Sequence, residues 1–269
     1  EQPPLHDVAA TLALGADGGG HHAVEALSLR WERFTMKGRL QVGASAPMAL
    51  DGLLQFEGLP DAPLHWRAAL RIDGALARVG LLAGLEGAAA KGRPPALATL
   101  RATVEPFTRW PLAALGAETE ALDLSLLSGQ LPRTQLGGTV ALAGRALDQP
   151  VQATIALRNG APGRWDDGRL PLREADLVLE AVPADPSRVR IARFDLRFGD
   201  ASGAQGDAGR WSGDGQWQGH ELTLDTQLRA LRPHRLDQRA SPMGLEGPVA
   251  LTLSNLPSPD PAAAAPSPK

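Results

Sequence analysis

The chain has 269 residues and a formal net charge of -3; it is 43% hydrophobic and 21% charged, which supports a folded interior and excludes wholesale disorder. It holds no cysteine, which removes disulfide scaffolds, thiol catalysis and Cys-ligated zinc. The slightly acidic balance argues against sequence-independent nucleic-acid binding, which needs a basic surface.

In chain order, the first 23 residues are expected to hold a strand and a loop, the loop at the Gly-rich stretch 15–20. From Val24 the pattern turns to period two, the signature of a strand with one face buried. Leu27, Leu29 and Trp31 alternate with Ser28, Arg30 and Glu32; Met36, Gly38, Leu40 and Val42 alternate with Lys37, Arg39 and Gln41. Leu64, Trp66, Ala68, Leu70 and Ile72 oppose His65, Arg67, Arg71 and Asp73. Leu76–Leu85 and Trp110–Leu131 carry apolar residues at spacings of three and four, and are expected to form short helices capping a sheet. Alternation returns at Val151/Ala153/Ile155/Leu157, Leu177/Leu179, Phe194/Leu196/Phe198 and Leu222/Leu224/Leu228. Turn formers separate the runs: Ala46-Pro47, Asp51-Gly52, Asp73-Gly74, Asn159-Gly160 and Gly-Asp at 199–200, 206–207 and 213–214.

Residues 24–255 therefore read as one repeated β-sheet region, and 256–269 as a Pro/Ala-rich linker or disordered tail. No long helices lie between the strands, which excludes a parallel βαβ architecture. A repeat is visible at constant offset: Ala121, Leu122, Leu127, Leu136, Gly138, Val140, Ala141 and Leu142 match Ala230, Leu231, Leu236, Leu245, Gly247, Val249, Ala250 and Leu251. No stretch reaches the roughly 20 apolar residues of a spanning helix. The chain opens Glu1-Gln2-Pro3 without a signal-peptide pattern, so a processed chain or an internal segment is expected.

Motifs for chemistry fail one by one. His21-His22 follow a triple glycine with no ligand-spaced carboxylates, and read as a solvated loop. His65 lies on the polar parity of its strand. Asp200, Asp207 and Asp214 recur at seven residues, whereas calcium coils repeat at nine and EF-hand loops close on a Glu. Gly84–Lys91 lacks P-loop spacing, Gly213-x-Gly215 lacks the third glycine of a dinucleotide fingerprint, and no Gly-x-Ser-x-Gly elbow exists. Asp166-Asp167 sits in a turn that favours Asp for its geometry alone. No enzyme activity, metal site or cofactor is expected.

What remains is a distributed apolar face. Packed on a second sheet it makes a β-sandwich or barrel core; left open it makes a groove suited to an acyl chain, each buried CH₂ contributing about 0.8 kcal/mol. Several segments resemble the periplasmic β-repeat region of the AsmA-like, bridge-like lipid-transfer family, in particular its translocation and assembly module (TamB) members. They are Leu136-Gly-Gly-Thr-Val-Ala-Leu142, Ala156-Leu-Arg-Asn-Gly-Ala-Pro-Gly163, Gly168-Arg-Leu-Pro-Leu172, Gly213-x-Gly-x-Trp217 and Leu245-Glu-Gly-Pro-Val-Ala-Leu251, preceded by Val104-Glu-Pro-Phe-Thr-Arg-Trp-Pro-Leu112 with Leu122-Asp-Leu124 and Leu131-Pro132.

The resemblance implies an all-β fold: an elongated, curled antiparallel β-sheet, a taco-like groove of repeated strands with one or two short helices. It implies phospholipid movement through the periplasm between inner and outer membranes, with acyl chains as the bound partner. It also implies a TamA-like outer-membrane partner reached through the full-length protein, and an inner-membrane anchor outside this segment. The expected lining is Leu40, Val42, Leu54, Leu70, Ile72, Val140, Leu142, Ile155, Leu157, Leu177, Leu179, Phe194, Leu196, Leu222 and Leu224. The competing readings are a structural β-repeat or β-sandwich interaction domain, and a carbohydrate-binding domain built on the six tryptophans.

Overall fold

The computed structural model describes residues 6–15, 20–31, 34–59, 65–88, 94–108, 111–126, 130–144, 150–182, 184–202 and 206–256. All of the tail expected at 256–269 except Leu256, the core of the Gly-rich loop at 16–19 and Trp110 lie outside them. The chain divides into two compact units, Glu1–Leu122 and Asp123–Lys269.

The fold is all-β and antiparallel, with strands in sequence order. The first unit holds β1 (His6–Ala13), β2 (His21–Trp31), β3 (Phe34–Gly43), β4 (Ala49–Gly58), β5 (Trp66–Ala75), β6 (Arg78–Gly87), β7 (Leu97–Val104) and β8 (Leu112–Leu122). The second holds β9 (Leu136–Ala143), β10 (Val151–Asn159), β11 (Leu172–Val182), β12 (Asp185–Gly199), β13 (Asp207–Gln218), β14 (Glu221–Leu231) and β15 (Leu245–Leu253). Within each unit every strand pairs with its chain neighbours, the order of a meander. The helical pieces are short: 3₁₀ turns at Leu124–Leu126 and Trp165–Asp167, and one α-turn, α1, at Pro233–Leu236.

Leu76–Leu85 is not helical; it is the β5–β6 turn followed by most of β6. Val79, Leu81, Ala83 and Leu85 keep strict period two and pair with Gly74, Ile72, Leu70 and Ala68. Leu82, on the opposite face opposite Arg71 and 45% exposed, created the false helical spacing. Among the described residues of Trp110–Leu131, most form β8 and only Leu124–Leu126 is helical. Three turn assignments also fail, because Asp51-Gly52, Asp73-Gly74 and Gly213-Asp214 lie inside β4, β5 and β13. Gly52 is required across the ladder instead, since a Cβ there would meet the Leu40 side chain at 2.8 Å. His21 and His22 begin β2 rather than sitting in a loop, and both are exposed.

The repeat has a structural counterpart. β8, the Leu124–Leu126 turn and β9 occupy the same sequence positions as β14, α1 and β15. Ala121 and its match Ala230 both have positive φ, 52° and 48°, and so do Gly138 and its match Gly247, at 145° and 125°. Two alanines forced into the left-handed region at equivalent sites, each costing about 1–2 kcal/mol, mark a shared chain reversal.

Candidate functional site

Register decides which side chains share a face, because residues paired across an antiparallel ladder point the same way. In the first unit, Val24, Leu40, Gly52, Ile72, Leu81, Ala102 and Leu115 form one continuous row from β2 to β8. The next row runs Leu27, Gly38, Leu54, Leu70, Ala83, Leu100 and Ala117. Val42 stands in a third row with Leu50, Gly74, Val79 and Val104. In the second unit, Val140, Ile155, Leu177, Phe194 and Gly213 make a row; Leu142, Ala153, Leu179, Ile191, Gly215, Leu224 and Leu251 make another. Leu157 lies with Ala175, Leu196 and Trp211, and Leu222 with Trp217 and Leu253. Every sequence-selected lining residue thus falls on the apolar face of its own unit.

The opposite face is charged and ordered by cross-strand ion pairs. Arg67 donates to Glu86 at 2.8 and 3.0 Å, Arg190 pairs with Glu180 at 3.1 Å, and Arg197 reaches Glu174 at 3.1 Å. Arg210 pairs with Asp195. These pairs are largely exposed and contribute little stability individually. Their effect is on register, because a one-residue slip would turn every charge onto the apolar side.

Burial separates a core from a lining. A packed sandwich buries its inner face, yet of the fifteen selected residues only Phe194 and Leu224 are buried, at 7% and 8% exposure; the rest are half-buried. The rows are continuous in register, and their leucines, valines and isoleucines stay partly open to solvent. Glycines on this face make the surface shallow: the Leu54 side chain lies over Gly38, that of Leu224 over Gly215, and the Trp66 indole over Gly58.

The rings concentrate locally. Phe34 contacts Trp31, Phe56 and Trp66 at centroid distances of 5.9, 6.0 and 6.3 Å, at one end of the first unit's apolar face. Phe194 meets Trp211 edge-to-face at 5.3 Å. Among the described residues, Trp31, Trp66, Trp211 and Trp217 therefore join the apolar rows instead of making a separate platform, while Trp165 is exposed in the β10–β11 loop. Sequence reading missed Leu81, Leu85 and Leu115 because helix was expected at Leu76–Leu85 and Trp110–Leu131, and it did not single out Leu100 on β7; strict alternation in β6 was the available signal.

The aspartates at the Gly-Asp steps do not converge. Asp200 Oδ1 accepts from the Ser202 N–H at 2.7 Å, Asp207 Oδ1 from the Gly209 N–H at 3.0 Å, and Asp214 is exposed in mid-strand. His65 is exposed, as its parity requires. Beyond α1, the Arg239 side chain and N–H both donate to Asp237 and hold its carboxyl down to about 2. A ¹³C-detected titration should find Asp237 ionising near about 2, and Arg239→Gln should return it toward the ordinary value of about 3.9. A depressed folded pKa stabilises above the unfolded value and loses that effect as pH falls through about 2.

No family model, curated protein or solved structure matches this chain.

Proposed function

We propose that this chain is a segment of a lipid-transfer conduit, holding phospholipid acyl chains on the apolar face of its strands while head groups stay in water. The observation that supports the reading is the half-buried state of unbroken apolar rows, which suits a lining better than a core. Strands are spaced about 4.8 Å apart, so a row crossing β2 to β8 runs roughly 29 Å. One leaflet's acyl layer is about 15 Å deep, so a single chain is accommodated within a row. Covering half of a 16-carbon chain on such a face yields roughly 6 kcal/mol, from about 0.8 kcal/mol per buried CH₂. That holds a lipid without trapping it, and rows lined by Leu, Val, Ile and Ala offer similar energy at successive positions. Chains therefore slide. The reading requires no catalytic residue and no cofactor.

The motif resemblance adds the setting: the periplasm, a full-length protein anchored in the inner membrane, and a TamA-like partner at the outer membrane. Native mass spectrometry of the chain purified from a lipid-containing extract tests it. Phospholipid adducts above those on an unrelated β-protein purified from the same extract are expected. A lipid-free spectrum, together with failure of a photo-crosslinkable phospholipid to label the apolar rows, would leave the scaffolding alternative.

A further inference from the structure

We propose that a cleft formed by the loops at one end of the second unit binds a phosphate group, held by Arg133 and Arg169. The backbone forces these two residues together, in an isolated parallel bridge. The Arg133 N–H donates to Gly168 O at 2.9 Å, and the Arg169 N–H to Arg164 O at 3.1 Å. Both side chains line a cleft with Gly163, Arg164, Asp200 and Ser202. A Cβ on Gly163 would run into the aliphatic stem of Arg169, so glycine gives that side chain its seat.

The charges in the cleft do not cancel. Arg164 is occupied by Asp167, at 3.1 Å from Nε and 3.3 Å from Nη2. Asp200 Oδ1 accepts from the Ser202 N–H at 2.7 Å, and its charge is offset by Arg235 and Arg173. Arg133 makes one bond, from Nη2 to the Asp167 carbonyl oxygen at 2.8 Å. Among the described residues no carboxylate forms an ion pair with either Arg133 or Arg169. A phosphate seated in the cleft offsets both positive charges while accepting from both planar forks.

The cleft is also preorganised. Asn159, 7% exposed at the end of β10, accepts from the Gln135 and Ala161 N–H groups at 3.0 and 3.2 Å and donates to Leu170 O at 3.2 Å. It thereby ties the segment entering β9 to both ends of the β10–β11 loop. The apolar face of this unit begins at the same strand ends, with Leu136 on β9 and Leu172 on β11. A phosphate seated here is placed for its attached chains to enter the rows. The choice of a lipid head group rests on the lipid reading above; phosphate binding does not.

Isothermal titration of the full chain tests the site with three probes: inorganic phosphate, dihexanoyl phosphatidic acid below its micellar concentration, and phosphate-free dihexanoylglycerol. Wild type is compared with Arg133→Gln/Arg169→Gln and with the charge-keeping Arg133→Lys/Arg169→Lys pair, each checked for folding by circular dichroism. Phosphatidic acid should bind at least tenfold more weakly to the Gln pair, and the Lys pair should recover part of the loss. Equal Arg-dependence and affinity for inorganic phosphate would assign the site to free phosphate. Phosphate-probe affinities that ignore both folded variants would overturn the proposal. Failure of wild type to bind dihexanoylglycerol, with Arg-dependent phosphate binding intact, would count against the lipid reading and leave the anion site standing.

Discussion

Replacing Leu142 or Leu157 with aspartate should cut co-purifying phospholipid at least tenfold while leaving the sheet folded. Leu142 on β9 is paired with Ala153 and Leu157 on β10 with Gly138, so each substituted carboxylate has a small neighbour and an open side. Both leucines are half-buried. An aspartate there keeps much of its hydration, and the folding cost is limited to about 1 kcal/mol of lost apolar burial. An acyl chain lying over the same spot must displace that water, and each 1.4 kcal/mol so lost weakens binding tenfold.

The contrast is Phe194→Asp, at a side chain 7% exposed and packed edge-to-face on Trp211. That change removes packing worth about 3–5 kcal/mol and buries a charge as well. Urea midpoints separate the sites: Phe194→Asp should fall steeply, Leu142→Asp and Leu157→Asp barely. If all three collapse alike, the face is a core and the conduit reading fails. If the two leucine variants stay folded and keep their lipid, the chains bind elsewhere.

Period two in the sequence was enough to place fifteen residues on the apolar faces of their units, because strand parity is a local property. Features that depend on a neighbouring strand were not legible. In β12, Ile191 pairs with Gly215 and Phe194 with Gly213, so the bulge between them moves the apolar side from odd to even positions. In β2 the reverse shift, from even to odd, occurs between Val24 and Leu27. Asp51-Gly52 has the local chemistry of a turn, yet Gly52 answers to Leu40 on β3. The β6 leucines satisfied two periodicities, and only pairing with β5 chose between them. The degree of burial was equally hidden, since alternation marks a face as apolar but says nothing of what covers it. Arg133 and Arg169 lie far apart in sequence, and only the bridge between their backbones brings them together.

Asp123→Ala should destabilise the second unit by about 2–4 kcal/mol, the cost of stranding several donors on a buried acceptor's loss. Asp123 is 7% exposed, and its Oδ1 accepts from the Ser125 N–H at 3.1 Å, the Ser125 hydroxyl at 2.8 Å and the Thr134 N–H at 3.1 Å. Thr134, 2% exposed, closes the corner by accepting the Leu124 N–H on its hydroxyl at 2.9 Å. One carboxylate thus joins the start of the 3₁₀ turn to the entry of β9. At the equivalent place in the repeat stands Arg232, whose N–H donates to Ala208 O at 2.8 Å, with Pro233 opening α1. The two corners share a backbone reversal but satisfy their polar groups differently, so an aspartate is required only at the first. Asp123→Asn keeps an acceptor oxygen and should recover at least half of the loss, while Arg232→Ala should cost under about 0.5 kcal/mol, the range of surface substitutions. Urea denaturation of the three variants decides it: equal midpoints for Asp123→Ala and wild type would show that the corner is held by its packing rather than by this carboxylate.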